Sequence, residues 1–440
     1  MRTLVFWALL VAPALAAAEP AKLTLDQVIA KAIANPRVQM AQSERDTASA
    51  QIDEADAARL PRIKGTAFAT ISPEIRCDDP STCITTHPIN FAWDFHGLFG
   101  GAELDITQPL YTFGKIEHAR NAARAGLDAQ AALANEAAGD QVSDAARAYW
   151  GLKLARELGG MLDDGIEQIE DAKKHFDDNK SLTITDRQRV AVLLAQAKAQ
   201  RADAAQGEAQ ALAGLRAVTG DATADIDDSE LATVAHTLPT EHELAIERRP
   251  QRLAAVSGAA AADELAKMQA AYYFPDIALV GTALAAGAQG VDVPPSVFAN
   301  NPYNRYGLGL VLGLSWTIEP WNVKARSDRA KAEAHKAHAQ AELATLGARY
   351  DAETALAEAS AARTKVDAAA TGEKAARTWL AAVLQNEAIG TAESRDLVDA
   401  YVAWFTLRAQ WATAVVAWNV AVIRLGRATG EFTAGPARPR

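Results

Sequence analysis

Two cysteines among 440 residues cannot make a disulfide scaffold or a four-thiolate zinc site. Aromatics are also scarce, at 6% of a chain that is 49% hydrophobic. Much of the difference is alanine, which points to long, closely packed helices rather than one bulky core. Positive charge is in deficit: Lys and Arg number 44 against 55 Asp and Glu, for a net charge of -11. A nucleic-acid partner would call for clustered Lys and Arg, so none is expected. Long apolar runs are missing too. The most apolar stretch, Trp411 to Leu425, is interrupted by Thr413, Asn419 and Arg424, and no segment reaches the roughly 20 residues a spanning helix needs. Membrane β-barrels escape that criterion, because their hydropathy signal is weak. Catalytic signatures are equally thin. There is no Gly-x-x-x-x-Gly-Lys loop, and His242-Glu243 lacks the second histidine of a zincin helix. Gly307-x-Gly309 lies in an alternating strand rather than a strand-to-helix turn. Neither an enzyme nor a cofactor is expected.

The chain does carry an export pattern. Met1-Arg2, the apolar run Leu4 to Val11 and the small residues Ala14 to Ala18 fit a secretory signal over 1–18.

It also repeats itself. Asn35-Pro36 and Arg249-Pro250 each open a helical stretch, and Leu60-Pro61 and Phe274-Pro275 each close one. Leu215-Arg-Ala-Val-Thr-Gly220 answers Leu425-Gly-Arg-Ala-Thr-Gly430, both reading as helix ends with a C-terminal glycine. The expected organisation is a first repeat over 19–220, a connector over 221–247, a second repeat over 248–430 and a tail over 431–440. Each repeat reads as a helix, a strand pair (65–111, then 276–319) and two long helical runs around a short break.

The strands differ in their faces. Leu308, Leu310, Leu312, Leu314 and Trp316 alternate with Gly307, Gly309, Val311, Gly313 and Ser315, giving one bulky and one small face. Ala102, Leu104 and Ile106 alternate with Glu103, Asp105 and Thr107, giving one apolar and one charged face. Aromatics crowd the strand ends: Phe91, Trp93, Phe95, Phe99, Tyr111 and Phe113, then Tyr272, Tyr273, Phe274, Tyr303, Tyr306, Trp316 and Trp321. A membrane barrel places such girdles at its two water interfaces; a soluble sheet core is the other reading. Four strands are too few to close a barrel in one chain.

The run from Lys115 to about Asn179 contains no proline. As one helix it would be on the order of 100 Å long. Leu397, Tyr401, Trp404, Trp411, Val415, Trp418, Val422 and Leu425 step by fours and threes, a coiled-coil seam that Arg408 is expected to break.

Together these residues resemble the TolC family of outer-membrane efflux proteins. The resemblance rests on Leu25-Asp26-Gln27 with Ala32 and Asn35-Pro36, on Ala58-Arg59-Leu60-Pro61, on Gln108-Pro109-Leu110-Tyr111 before Gly114, and on the duplicated Thr-Gly helix ends. It implies a mainly helical chain in which long coiled-coil helices form a trimeric periplasmic α-barrel. Four strands per subunit would join a shared 12-stranded outer-membrane β-barrel. It implies a homotrimer in the outer-membrane bilayer, with a periplasmic adaptor and an inner-membrane transporter as partners. Cargo would pass without chemistry. A pore-less periplasmic coiled-coil adaptor is the competing expectation, although adaptors carry one helical hairpin between β-rich modules.

The breaks between long helices, Asn179 to Thr183 and Ile389 to Thr391, would then be the periplasmic tips. Gly390, Thr391, Asp396 and Asp399 fall in a segment resembling the family's entrance, where the two aspartates would form stacked carboxylate rings in a trimer. The alternative for Asp396 is a favourable place at the positive start of a helix. Asp186 matches a position that helps hold the entrance closed, but Ala392 stands where a basic partner is usual, leaving Arg187 and Arg395 as substitutes. Cys77 and Cys83 would lie in an outside loop, where a disulfide is expected. His335 and His338, with Glu333 and Glu342, have ligand-like helical spacing but read as a solvated face.

Overall fold

The computed structural model describes residues 21–72, 97–178, 184–293, 303–388 and 394–432. The proposed signal, Cys77, Cys83, Gly390 and Thr391 lie outside these residues. The elements run β1 (Ala21–Leu23), α1 (Leu25–Ile33), α2 (Pro36–Ala57), β2 (Arg62–Ile71), β3 (Leu98–Tyr111), α3 (Lys115–Asp178) and α4 (Ile184–Thr219). They continue as β4 (Ala224–Ile226), α5 (Pro250–Ala271), β5 (Asp276–Ala288), β6 (Arg305–Ser315), α6 (Pro320–Ala388) and α7 (Ser394–Thr429).

Element lengths echo the sequence landmarks. Both α2 and α5 have 22 residues and begin at a proline, which is tolerated at a first helical position because its missing N–H has no intrahelical partner there. Both α4 and α7 have 36 residues. Each is followed by a glycine in the left-handed region, Gly220 at φ 66° and Gly430 at φ 75°. The 64 residues of α3 and 69 of α6 are uninterrupted. A capping box starts α1: Thr24 Oγ1 accepts from Gln27 N–H, and the Gln27 side chain accepts from Thr24 N–H.

The chain divides into two compact units. One comprises Met1–Ser43, Ala131–Leu253 and Leu343–Arg440; the other comprises Glu44–Gln130 and Ala254–Glu342. In the first unit, α1 and the parallel pair β1–β4 share a core with α3, α4, α6 and α7 that includes Val28, Tyr149, Leu215, Ile226, Val415 and Trp418. Alanine supplies much of the close helix contact, including Ala145, Ala146, Ala359 and Ala412. The connector after α4 is pinned to α7. Trp418 Nε1 donates to the Val234 carbonyl at 2.9 Å, and buried Asn419 pairs with Val234 N–H and the Ala232 carbonyl. Thus Asn419, an interruption in the hydropathy pattern, satisfies backbone groups inside the core.

The α7 seam is buried at Leu397, Val415, Trp418, Val422 and Leu425. One expectation about it is corrected: Arg408 does not break it. Its guanidinium pairs with Glu157 of α3 at 2.5 Å and lies over the Trp411 ring at 4.4 Å, with Glu373 of α6 at 4.0 Å. A long stem packed on the seam, with its charge answered from two neighbouring helices, replaces an apolar side chain.

The second unit holds one four-stranded antiparallel sheet in the order β2-β3-β5-β6. Both β2 and β6 are edges. Pro109 sits past the end of the β2–β3 pairing, at a register shift against β5, so its missing N–H breaks no central ladder. Phe113 at φ 50° and Gly114 at φ 90° then turn the chain sharply into α3.

Candidate functional site

The sheet register sorts the side chains onto two unlike faces. One row runs Ile63, Ile106, Gly281, Leu310; the next runs Gly65, Leu104, Ala283, Leu308. That face is apolar across all four strands. The opposite face has the rows Lys64, Asp105, Thr282, Gly309 and Thr66, Glu103, Leu284, Gly307. It carries charge and hydroxyls, and Thr282 Oγ1 donates to Asp105 at 3.2 Å. The apolar face is open to its surroundings: Tyr306 is 93% exposed and Leu308 89%. Burying one such leucine in hydrocarbon would contribute roughly 2 kcal/mol.

Aromatics gather at both ends of the sheet. Phe99 packs edge-on against Phe68 and Tyr303 at one end, with centroids 5.0 and 5.3 Å away. At the helix end Phe113 stacks on Phe274 at 5.3 Å and meets Tyr111 at 4.7 Å. Tyr272, Tyr273, Trp316 and Trp321 are exposed there. By the register Phe68 and Phe99 lie on the charged face. On the apolar face exposed Tyr306 precedes the Leu308–Leu314 band and exposed Trp316 follows it, aromatic positions of the kind a bilayer interface favours. No described helix is long and apolar enough to cross a membrane.

The long helices pair through ion pairs. Arg201 meets Asp163, and Lys198 meets Glu170, each at 2.7 Å; Arg156 meets Glu208 at 3.0 Å and Asp225 at 2.7 Å. The hydrogen bond from Arg201 holds the Asp163 carboxyl below its usual range. Such exposed pairs are screened by solvent and fix register more than stability. Between α3, α4, α6 and α7 in the first unit runs a groove of about 1440 Å³, lined by Leu154, Leu158, Leu162, Asp203, Lys365 and Phe405 among others. Gly165 lets the Phe405 ring approach: an added Cβ would lie 2.3 Å from it. No periodicity in the sequence marked that contact.

Near the helix tips, Leu397 and Ala400 pack with Leu380 and Val383 of α6, and with Tyr401 and Trp404. That buried stripe turns Asp396 and Asp399 outward, and both are exposed. Asp396 lies in the first turn of α7. Asp399 pairs with Arg395 on its own helix at 3.6 Å. Asp186 is in the first turn of α4. Of the histidine pair, His338 Nε2 lies 2.9 Å from Asp263, and Glu333 is held by Arg329 at 2.9 Å. Among the described residues no group of three or more His, Cys, Asp or Glu could hold a metal ion.

With this geometry in place, the chain can be set beside known proteins. Residues 242–431 match the family model for outer membrane efflux protein. The curated protein sequences contain no match. The Campylobacter jejuni CmeC outer membrane channel superposes with a TM-score of 0.75 at 16% identity, covering 94% of this chain and 87% of that one. The open state of the Neisseria gonorrhoeae MtrE outer membrane channel gives 0.75 at 19%, covering 92% and 88%. The Vibrio cholerae outer membrane protein VceC gives 0.73 at 16%, covering 92% and 96%. The resemblance to the TolC family therefore holds: the chain has the fold of an outer-membrane efflux channel over nearly its whole length, and the family's sequence pattern over most of its second half.

Proposed function

We propose that this chain is one subunit of a homotrimeric outer-membrane channel that passively conducts cargo delivered by an inner-membrane transporter and a periplasmic adaptor. The sheet carries the reading: one apolar face, one charged face and two edges that no described residue pairs. Edge backbone groups have no water to bond inside a bilayer, so the β2 and β6 edges call for partners. Three copies would supply them and close a 12-stranded barrel, with Lys64, Glu103 and Asp105 facing the lumen. The tandem repeats, bounded at 220 and 248, would then place alternating copies of one motif around the wall. A pore-less adaptor would have no use for such a sheet.

Asp396 and Asp399, turned outward beside the Leu397 stripe, are proposed to face the narrowed entrance, with Gly390, Thr391 and Asp186 nearby. The Arg395–Asp399 pair partly neutralises the Asp399 ring, so Asp396 carries the stronger cation affinity. A Cys77–Cys83 disulfide would brace the outside loop. Planar-bilayer recordings on detergent-extracted protein test the channel, which should give stable unit conductance. Trimers that insert yet never conduct would overturn it. In the same recordings, D396N with D399N should weaken divalent-cation block; unchanged block would remove both residues from the entrance.

A further inference from the structure

A small cleft of about 370 Å³ lies between the end of α5 and the start of α6, lined by Gln269, Tyr272, Arg326, Arg329, Ala330 and Glu333. Most charged groups around it are already matched. Lys324 pairs with Asp328, Lys267 with Glu264 at 2.6 Å and Lys115 with Asp276 at 2.8 Å. Arg329 holds Glu333, the one carboxylate in the lining, through Nε at 2.9 Å; this leaves the two Nη groups of Arg329 as further donors. Arg326 makes no ion pair or hydrogen bond with any described residue. The cleft thus presents one unanswered guanidinium, one part-used guanidinium, an amide and a phenol. That is a donor set for phosphate oxygens, which planar guanidinium groups bind in paired fashion.

Its position says which phosphate. Trp321, 79% exposed, stands at the first turn of α6, next to exposed Ile318 and Trp316. Arg326 follows about 8 Å along the helix axis, at roughly 1.5 Å per residue. Tryptophan and tyrosine settle at the headgroup level of a bilayer, so a cation one and a half turns further on lies at the phosphate level, with acyl chains able to lie on the apolar side chains above. We propose that this cleft binds the phosphodiester headgroup of an anionic glycerophospholipid from the leaflet at the helix end of the sheet. The proposal rests on the membrane reading of the sheet.

The test reconstitutes full-length protein into equimolar phosphatidylglycerol and phosphatidylcholine vesicles, re-extracts it in mild detergent and quantifies retained lipid by mass spectrometry. Phosphatidylglycerol should be enriched at least twofold over the bulk ratio in the wild type. The enrichment should fall to the bulk ratio in R326Q/R329Q, and persist in R363Q, a charge control on the remote part of α6. Enrichment unchanged in the double variant, or absent from the wild type, overturns the site. Competition by millimolar inorganic phosphate that abolishes the enrichment would identify a free-anion site and overturn the lipid assignment. Flotation of the protein with the vesicles is scored separately: failure to float defeats the membrane reading itself, whereas flotation without enrichment defeats only this cleft.

Discussion

The ends of α4 and α7 face the same problem and meet it with different side chains. Each helix leaves its last carbonyls without intrahelical partners, and each is answered by the residue just before a helix-opening proline. For α4 that residue is Asn35, whose amide donates to the Val218 carbonyl at 2.8 Å and the Ala217 carbonyl at 3.3 Å. For α7 it is Arg249, whose Nη1 donates to the Arg427 carbonyl at 2.9 Å. Asn35 is half-buried and neutral. Arg249 is 1% exposed, so its charge needs answering: Glu136 lies at 3.5 Å and Asp351 at 3.2 Å. Glu136 is shared with Arg427 at 2.7 Å, and Arg427 also meets Asp140 at 2.5 Å. A duplicated motif has kept its backbone task while one copy drew in a buried ionic network.

The largest expected effect separates the copies directly. R249M leaves Glu136 and Asp351 with a lost partner and should cost about 3–5 kcal/mol in thermal or urea unfolding. N35A should cost only about 1 kcal/mol. Equal losses would dissolve the distinction. The glycines come next. G220A meets no atom within 4 Å, so its cost should be the left-handed penalty alone, about 1–2 kcal/mol. G430A should cost clearly more, because its Cβ would lie 2.4 Å from the Arg248 carbonyl oxygen, a backbone atom.

The smallest effect is in pH dependence, and its sign differs between the ends. At the first end, Asp221 is held well below its usual range by Lys31, 2.5 Å away, and by Thr223. A depressed carboxyl adds stability that is present above the ordinary pKa near 3.8 and is lost as pH falls towards the folded value. D221N should therefore differ from wild type at neutral pH and converge with it in strong acid. At the second end burial outweighs the two arginines and pushes Glu136 above 4.5. A raised carboxyl works oppositely: the folded state binds its proton first, so stability falls as pH rises through the window above 4.5. Wild type should lose stability relative to E136Q across that window. Parallel pH slopes for the two pairs would show that the ends are electrically alike.

Much of this architecture was legible because it is periodic. The Leu308–Leu314 alternation, the Leu397–Leu425 seam and the paired Thr-Gly ends each follow from a repeat distance. What escaped has no period. Arg249 reads in sequence only as a basic residue before proline, and its burial depends on Glu136 and Asp351, more than a hundred residues away on either side. The one available signal was its alignment with Asn35, together with the aligned carbonyls of Ala217 and Arg427. Arg408 misled for a related reason: a heptad test scores its charge, while Glu157 and the Trp411 face decide its fit. The entrance role proposed for Asp396 and Asp399 comes from resemblance alone, whereas the Arg395–Asp399 contact follows from i, i+4 spacing on a helix that begins at Ser394.

The open edges of the sheet carry a consequence for inheritance as well as for structure. If the β2 and β6 edges, unpaired among the described residues, close against two further copies as proposed above, a defect in one chain is not private to it. If one allele encodes a proline in β6, its product still offers a sound β2 edge and can join two normal chains, leaving a ring with one seam open. In the proposed three-chain ring, with equal expression and random mixing, only about one assembly in eight would be free of the defective copy. Such an allele would act dominantly, whereas a null allele, which contributes no edge at all, would be recessive.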